Sequence, residues 1–134
     1  MTLVDTNVII DILLADAVWM AWSAEQLEEC RNAGPLYLNE IGYAELSAKM
    51  DRESDVETAV DGLGLTFERM PTSALYAAGQ AFRRYRAAGG PRLSVLPDFF
   101  MGAHAQVSGL SILTRDVRPY RTYFPDVKLI APDA

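Results

Sequence analysis

Leu3-Val4-Asp5-Thr6-Asn7, followed by Val8-Ile9-Ile10, is the stretch that decides the fold. Two apolar residues that favour β-structure run into an aspartate, and Thr6 or Asn7 is suited to cap a short helix. The stretch therefore predicts a buried strand that ends in a carboxylate. In an open α/β sheet, ligands bind at the carboxyl ends of the strands, so Asp5 stands where chemistry is expected.

The rest of the chain alternates short strands with helices. Strands are predicted at Thr2–Val4, Leu36–Leu38, Leu65–Phe67, Leu110–Thr114 and Val127–Ile130. Helices are predicted at Val8–Leu14, Ala17–Ala33, from the cap Asn39 to Met50, Val56–Leu63, Pro71–Ala88 and Asp98–Val107. This alternation implies a parallel sheet covered on both faces. We therefore predict one α/β domain over residues 1–134, a three-layer sandwich with about five short parallel strands.

Length and composition fit a globular domain with a single substantial core, since the chain has 134 residues, half of them hydrophobic. Cys30 is the only cysteine, which excludes an internal disulfide and suggests a buried thiol in a reducing compartment. The apolar N-terminus carries Asp5, Asp11 and Asp16 and no leading positive charge. It therefore matches neither a signal peptide nor a membrane span, and we expect a cytoplasmic protein.

A net charge of −6 argues at first against a nucleic-acid partner. The arginines, however, are grouped along the chain: Arg83, Arg84, Arg86 and Arg92 form one group, and Arg115, Arg118 and Arg121 a second. Charges farther apart than a Debye length of about 8–10 Å are screened, so a local basic rim can attract phosphate. The net charge therefore does not exclude a nucleic-acid partner.

Three later acids, Glu45, Asp98 and Asp116, occupy strand-end or helix-start positions comparable to that of Asp5. Four carboxylates in one cleft would repel one another and raise each other's pKa. A divalent cation removes this conflict, and Mg²⁺ and Mn²⁺ prefer oxygen ligands. We therefore predict that the four acids converge on Mg²⁺ or Mn²⁺ and act on a phosphodiester.

Each acid also has a purely structural interpretation. Asp5 could cap the first helix, and Asp116 could be an ordinary turn aspartate. Glu45 lies four residues before Lys49, a spacing that suits a helical ion pair worth about 0.3–0.5 kcal/mol. Asp98 follows a proline directly, at a place where an acid stabilises a helix N-terminus. Spacing alone leaves both interpretations open.

Neighbouring residues favour one interpretation or the other. Gly102-Ala103 follow Asp98 by one helical turn on the same face, and we expect them to leave space above its carboxylate. Glu40 is expected to serve its helix N-terminus. Asp11 lies one turn after Asn7 and could brace it, but a solvated surface position is favoured. His104 is the only histidine and lies off the face of Asp98, which favours a packed, hydrogen-bonded residue over a catalytic base. Any cleavage of a phosphodiester would then be metal-driven.

With these motifs the chain resembles the PIN-domain ribonucleases, and among them the VapC-type toxins of bacterial and archaeal toxin–antitoxin pairs. The matching stretches are Val4-Asp5-Thr6-Asn7-Val8-Ile9, Tyr43-Ala44-Glu45-Leu46, Leu96-Pro97-Asp98-Phe99 with Gly102-Ala103-His104-Ala105, Leu113-Thr114-Arg115-Asp116 and the closing Tyr123-Phe124 to Pro132. Each motif is short, but their order and spacing extend over essentially the whole chain. Phe99-Phe100 departs from the pattern, being bulkier than usual after the third acid, and would reshape the mouth of the cleft.

The resemblance implies a PIN-like fold and a Mg²⁺- or Mn²⁺-dependent endoribonuclease, in which a metal-activated water attacks the RNA phosphorus in line. Asp5 and Asp98 would bind the metal directly, and Glu45 and Asp116 partly through water. It also implies a cognate antitoxin that covers the site, and a homodimer, with no membrane partner. Supporting polar positions are matched by Thr6, Asn7 and Thr114, while Arg115 and Arg92 are candidates for contact with an RNA phosphate.

Two other functions are compatible with an α/β fold of this kind. The same fold could serve as a catalytically inactive PIN-like binding or regulatory module, although a dead copy tolerates loss of any one acid and this chain has all four. A receiver domain or aspartyl-phosphate phosphatase would need a lysine late in the sheet. The only lysines are Lys49 and Lys128, and neither follows a predicted strand.

Overall fold

The computed structural model of the chain describes residues 1–91 and 96–132. Within them a parallel sheet is formed by β1 (Thr2–Val4), β2 (Leu36–Leu38), β3 (Leu65–Phe67), β4 (Ser111–Leu113) and β5 (Leu129–Ile130). The strand order is β3-β2-β1-β4-β5, so β1 lies at the centre. Leu3 pairs with Tyr37 of β2 on one side and with Ile112 of β4 on the other.

Seven helices connect the strands in the described part of the chain. They are α1 (Thr6–Leu13), α2 (Met20–Ala33), α3 (Glu40–Ser47), α4 (Glu53–Gly62), α5 (Thr72–Ala87), α6 (Leu96–Ser108) and α7 (Arg118–Arg121). Successive residues of a strand point to opposite faces of the sheet. Leu3 accordingly packs in a core with Ala78 and Phe99, whereas Val4 packs in a second core with Val8 and Leu38. A core on each face confirms the predicted α/β sandwich and its parallel sheet of five strands.

The first three strands have the residue ranges that the sequence predicted, whereas the other elements differ from their predicted ranges. Helix α1 begins at Thr6, and its N-cap residue is Asp5 rather than Thr6 or Asn7. Helix α2 begins at Met20 because Oδ1 of Asp16 accepts the backbone N–H groups of the two residues before Met20, which fixes a turn there. Strands β4 and β5 are shorter than predicted, and α7 was not predicted.

The buried face of α5 differs from the prediction. The predicted stripe was Leu75, Ala78, Gly79, Phe82 and Tyr85, but the buried residues are Ala74, Ala78 and Ala81. Leu75 is 41% exposed, and Phe82 and Tyr85 are half-buried. Small side chains allow α5 to approach the rest of the core closely, so alanines rather than the larger residues mark the inner face.

Residue Asn39 caps α3 as predicted. Its Oδ1 accepts the backbone N–H of Gly42 at 3.1 Å. The predicted packing positions of this helix are only partly correct, since Leu46 is buried while Ala44 and Ala48 are exposed. Across residues 1–91 and 96–132, no helix has the length and apolar character that crossing a membrane requires.

Candidate functional site

The two central strands end side by side at the carboxyl edge of the sheet. Asp5 follows β1 and Thr114 follows β4, and the backbone N–H of Asp5 donates to the carbonyl of Leu113 at 2.8 Å. This pairing brings together side chains that lie 109 positions apart in the sequence, since the Thr114 hydroxyl is 2.8 Å from Oδ2 of Asp5.

Asp5 is held by two hydroxyl groups. Its Oδ2 accepts hydrogen bonds from Thr114 Oγ1 and from Tyr120 Oη, each at 2.8 Å. Burial raises the pKa of Asp5 above its ordinary value, although the hydrogen bonds from Tyr120 and Thr114 act in the opposite direction. The carboxylate is therefore fixed in place while its charge is poorly solvated, a condition that a bound cation would relieve.

Thr114 is itself oriented by its neighbours. Its Oγ1 lies 3.3 Å from Nδ2 of Asn7 and 3.1 Å from the backbone nitrogen of Asp116, both of which are N–H donors. Its one hydroxyl proton can go to Oδ2 of Asp5 at 2.8 Å or to the carbonyl of Asp116 at 3.2 Å, and the shorter contact to the carboxylate is favoured. Thr114 therefore contacts Asp5 directly, and Asn7 contacts Thr114; their supporting role in a site stays a prediction.

Glu45 reaches the same edge from α3. Its Oε1 accepts a hydrogen bond from Thr6 Oγ1 at 2.9 Å. One turn earlier in α3, Gly42 lets the helix pack closely on Leu38 of β2, because a Cβ at this position would clash with the Leu38 side chain. The alternative pairing with Lys49 is absent from the ion pairs found among the described residues.

Asp98 lies in the first turn of α6. Burial, followed by the negative charges of Asp5, Glu45 and Asp116, raises its pKa from 3.8 to about 6. The four predicted acids therefore lie close enough for their charges to interact, although no three of them are arranged as a metal cage within the described residues. That they share one cation stays a prediction.

Asp116 is the acid with a positively charged partner. Arg118 donates from Nε to Oδ1 and from Nη2 to Oδ2, both at 2.8 Å. This bidentate contact lowers the pKa of Asp116 below its ordinary value. The Arg118 side chain is 87% exposed, so the contact is a surface ion pair that competes with water and salt.

The prediction that Gly102 and Ala103 leave open space above the Asp98 carboxylate is wrong. A Cβ built on Gly102 would clash with the ring of Phe124, and Ala103 is fully buried. Gly102 therefore admits an aromatic side chain of the protein rather than a ligand. Phe99 is also turned into the core, with its ring centroid 5.8 Å from that of Phe124, so its bulk does not shape the mouth of the cleft.

The prediction for Asp11 is also wrong. It is 1% exposed, and its Oδ2 accepts from Ser23 Oγ and from Arg115 Nε, each at 2.8 Å. These two donors offset the cost of burying the carboxylate. Arg115 also lies 5.6 Å from the Trp19 ring, measured from its Cζ to the ring centroid. Its contact with an RNA phosphate stays a prediction that would use its other guanidinium nitrogens, and Arg92 lies outside the described residues.

His104 is packed and hydrogen-bonded, as predicted. It is fully buried, and its Nδ1 lies 3.1 Å from Nδ2 of Asn39. Because Oδ1 of Asn39 accepts from Gly42, Nδ2 is the amide donor and Nδ1 of His104 is the acceptor. Burial lowers the pKa of His104, so the neutral imidazole is favoured. Its role is to anchor the cap of α3, the helix that carries Glu45.

Tyr120 is the residue of this site that the sequence prediction missed. It lies in α7, four residues after Asp116, and is fully buried with its hydroxyl on Asp5. A four-residue helix shows no hydrophobic periodicity, and nothing local distinguishes Tyr120 from other tyrosines of the chain. Only the packing of α7 against the end of β1 identifies it.

The side chains of the four acids are chemically suited to bind a hard divalent cation. They are carboxylates, and Mg²⁺ and Mn²⁺ prefer such oxygen ligands. In the part of the chain that the structure describes, no three acidic, histidine or cysteine side chains are already arranged as a closed metal cage. Asp5, Glu45 and Asp116 instead accept hydrogen bonds from Tyr120, Thr6 and Arg118, respectively.

A comparison with protein families identifies one match that covers most of the chain. The family described as "PIN domain" matches residues 2–125. No protein with a curated description matches the sequence significantly.

Several solved structures share the fold. A chain of VapBC2 from Rickettsia felis, bound to a promoter DNA fragment, has a TM-score of 0.72 at 14% identity, covering 97% of each chain. A chain of DNA-bound VapBC from Salmonella typhimurium gives 0.71 at 18% identity, covering 97% of this chain and 96% of that one. A chain of a toxin–antitoxin complex from Klebsiella pneumoniae gives 0.68 at 20% identity, covering 95% of each.

Proposed function

The chain belongs to the PIN domain family, and from that premise we propose that it is a Mg²⁺- or Mn²⁺-dependent endoribonuclease, a hydrolase of RNA phosphodiester bonds. One observation carries the proposal. Acids that follow β1 and β4 and acids on α3 and α6 lie near enough for three of them to raise the pKa of the fourth, Asp98. Within the described residues, Asp116 is the one acid of the four that has an arginine partner, so the cluster as a whole suits a divalent cation and a phosphodiester.

In this proposal Asp5 and Asp98 hold the cation directly, and Glu45 and Asp116 hold it partly through water. When bound, the cation would neutralise phosphate charge and lower the pKa of a coordinated water. The protein's own contribution is orientation. Thr6 fixes Glu45, and Thr114 fixes Asp5, so these carboxylates do not have to be ordered when the substrate arrives.

Substrate phosphates would meet arginines near the acids. Arg115 precedes Asp116 and is held in place by Asp11, which leaves its other guanidinium nitrogens for a phosphate. Arg92 is proposed for the same role. RNA rather than double-stranded DNA is favoured by the family resemblance of the motifs, and the substrate class is part of the proposal.

We also propose that the chain is the toxin of a toxin–antitoxin pair. The structural relatives include a complex named as toxin–antitoxin, and the matched chains have nearly the length of this one. Apolar side chains lie exposed around the connection between α1 and α2, with Leu14 at 62%, Val18 at 77% and Met20 at 42%. Exposed apolar patches mark protein interfaces, so this patch suits an antitoxin or a second subunit of a homodimer. The protein would act in the cytoplasm as one domain.

The test compares two aspartate substitutions of the same chemistry. Asp98→Asn removes a carboxylate of the cluster, whereas Asp61→Asn removes one from the exposed surface of α4. We expect wild type and Asp61→Asn to cleave RNA with Mn²⁺ and to lose this activity in EDTA, and Asp98→Asn to be inactive. Equal cleavage by both variants would refute the assignment of the site.

The second candidate is the inactive PIN-like module. The bidentate Arg118 contact favours it, because this contact occupies both oxygens of Asp116. Mn²⁺ binding by a wild type that cleaves no RNA, single-stranded or structured, would support this candidate over the nuclease.

A further inference from the structure

Two hydroxyl groups converge on one oxygen of Asp5. Thr114 Oγ1 and Tyr120 Oη both lie 2.8 Å from Oδ2. A carboxylate oxygen has about two lone-pair positions for hydrogen bonds, so these two donors fill Oδ2. The oxygen Oδ2 is therefore used by the protein itself.

Geometry favours both hydroxyls as donors to Asp5. Thr114 Oγ1 accepts from two nitrogen donors, and its proton has two acceptors within reach, Oδ2 of Asp5 at 2.8 Å and the carbonyl of Asp116 at 3.2 Å. The contact to Asp5 is the shorter one, and a hydrogen bond to a charged oxygen is the stronger one. Tyr120 is fully buried and makes its hydrogen bond to the same carboxylate, which can only accept when it is ionised. Both hydroxyls thus donate, and both favour the charged form of Asp5 at Oδ2.

Tyr120 is itself rigidly placed. Its side chain belongs to the core on the α6 side of the sheet, together with Phe99 and Phe124. Its backbone N–H donates to the carbonyl of Val117 at 3.1 Å, and its carbonyl accepts from the N–H of Phe124 at 2.9 Å. The hydroxyl is therefore positioned by the core rather than by a mobile surface side chain.

We propose that Tyr120 is a positioning residue that, together with Thr114, reserves Oδ2 of Asp5 for the protein and leaves Oδ1 for a divalent cation. The inference rests on the proposed metal-dependent function and adds a residue to it. Without the Tyr120 hydroxyl, Thr114 alone holds Oδ2, so the Asp5 carboxylate turns more easily about its Cβ–Cγ bond. The ordering that Tyr120 provides in advance would then have to occur on metal binding.

The test uses two tyrosines that differ in one contact. Tyr120→Phe removes the hydroxyl from Asp5, whereas Tyr123→Phe removes one from the neighbouring aromatic cluster, where Tyr123 packs 5.3 Å from Phe99 between ring centroids. In calorimetric titrations with Mn²⁺, we expect Tyr120→Phe to bind roughly 10- to 100-fold more weakly than wild type, the usual effect of losing a hydrogen-bonding partner of a metal ligand. Tyr123→Phe is expected to match wild type. RNA cleavage by Tyr120→Phe should recover toward wild type as Mn²⁺ is raised.

Two further variants separate positioning from a general loss of structure. In an Asp5→Asn background, adding Tyr120→Phe should have no further effect on residual Mn²⁺ binding, because the two residues act as a unit. Thr114→Val removes the other hydroxyl from the same oxygen and should also weaken Mn²⁺ binding. If circular dichroism shows that Tyr120→Phe does not fold, the result for Thr114→Val decides whether Oδ2 is reserved.

The outcomes are distinct. Unchanged Mn²⁺ affinity in folded Tyr120→Phe would overturn the role of Tyr120 and leave the proposed function standing. Unchanged affinity in Thr114→Val would likewise overturn the reservation of Oδ2. A wild-type protein that binds no Mn²⁺ would overturn the metal-dependent function, and this inference with it.

Discussion

The Nε–H of Arg115 donates to Oδ2 of Asp11 at 2.8 Å, across 104 positions of sequence. Asp11 is almost fully buried, whereas the Arg115 side chain is one-third exposed. The contact joins the segment after β4 to α1, and it fixes the backbone directly before Asp116. An ion pair outside the acid cluster thus helps to place one of the cluster's members.

Loss of this ion pair should lower stability. Arg115→Gln leaves a buried carboxylate with Ser23 as its remaining hydroxyl donor. We expect the free energy of unfolding to fall by about 1.5–3 kcal/mol, the range for a hydrogen bond to a charged group. Urea denaturation measures this change, with Arg83→Gln, an arginine of α5, as the control. Equal midpoints for the two variants would contradict the structural role of Arg115.

Asp98 should give stability a distinctive pH dependence. Because its pKa is raised to about 6, the folded protein binds the Asp98 proton more tightly than the unfolded chain does. Its contribution to stability therefore falls as the pH rises from about 4 to about 6. Asp98→Asn should be more stable than wild type by about 1–2 kcal/mol above pH 6, after allowing for solvent screening. Below pH 4 the two should agree.

The measurement for Asp98 is thermal or urea unfolding of both proteins at several pH values in EDTA. Added Mn²⁺ should reverse the difference above pH 6 by stabilising wild type, because a ligand that binds only the folded state raises its stability. A constant difference at every pH would show that Asp98 does not titrate as the structure indicates.

Arg118 should weaken metal binding at the acid cluster. A cation at Asp116 competes with the guanidinium of Arg118, so Arg118→Gln should bind Mn²⁺ more tightly than wild type. A surface ion pair contributes about 0.2–1 kcal/mol, which limits the gain to less than about tenfold. Arg121→Gln is the control, because it removes one positive charge from the same helix without touching Asp116. It shows whether a change in net charge alone alters Mn²⁺ binding. The same gain in both variants, or none in either, would count against competition at Asp116.

Substitution by alanine should have opposite effects on stability at two glycines. A Cβ at Gly102 meets the Phe124 ring, whereas a Cβ at Gly79, on the exposed face of α5, would have no atom within 4 Å. Gly102→Ala should destabilise the protein by about 1–3 kcal/mol through overpacking. Gly79→Ala should stabilise it by up to about 1 kcal/mol, because alanine favours a helix over glycine. Thermal unfolding distinguishes the two, and a stabilised Gly102→Ala would mean that the Phe124 packing is wrong.

Much of the fold could be predicted from the sequence because the strands are short apolar runs with clear stops. Leu36–Leu38 follows Gly34-Pro35 and precedes Asn39, which then caps α3. The start of α1 was harder to predict, because Asp5 directly follows β1 and is also the N-cap residue of α1. The prediction for the inner face of α5 was wrong for a physical reason. Hydropathy favours large apolar residues such as Leu75 at buried positions, whereas close packing of α5 on the core favours small residues such as Ala74.

The acids of the site could be predicted, but several of their partners could not. Asp5 and Asp98 occupy positions that a parallel sheet makes recognisable. The burial of Asp11 depends on Arg115, and the importance of Tyr120 depends on Asp5. Both contacts join distant parts of the chain without a local pattern. Sequence periodicity describes one element at a time, so such partners emerge only from the packed structure.

The central place of β1 has a consequence for the order of events during translation. Thr114 and Tyr120, which hold the Asp5 carboxylate, are synthesised more than a hundred residues after Asp5. A nascent chain that has not yet released the segment 111–120 can pair β1 with β2 but lacks β4. The acid cluster is therefore completed only after that segment has emerged from the ribosome.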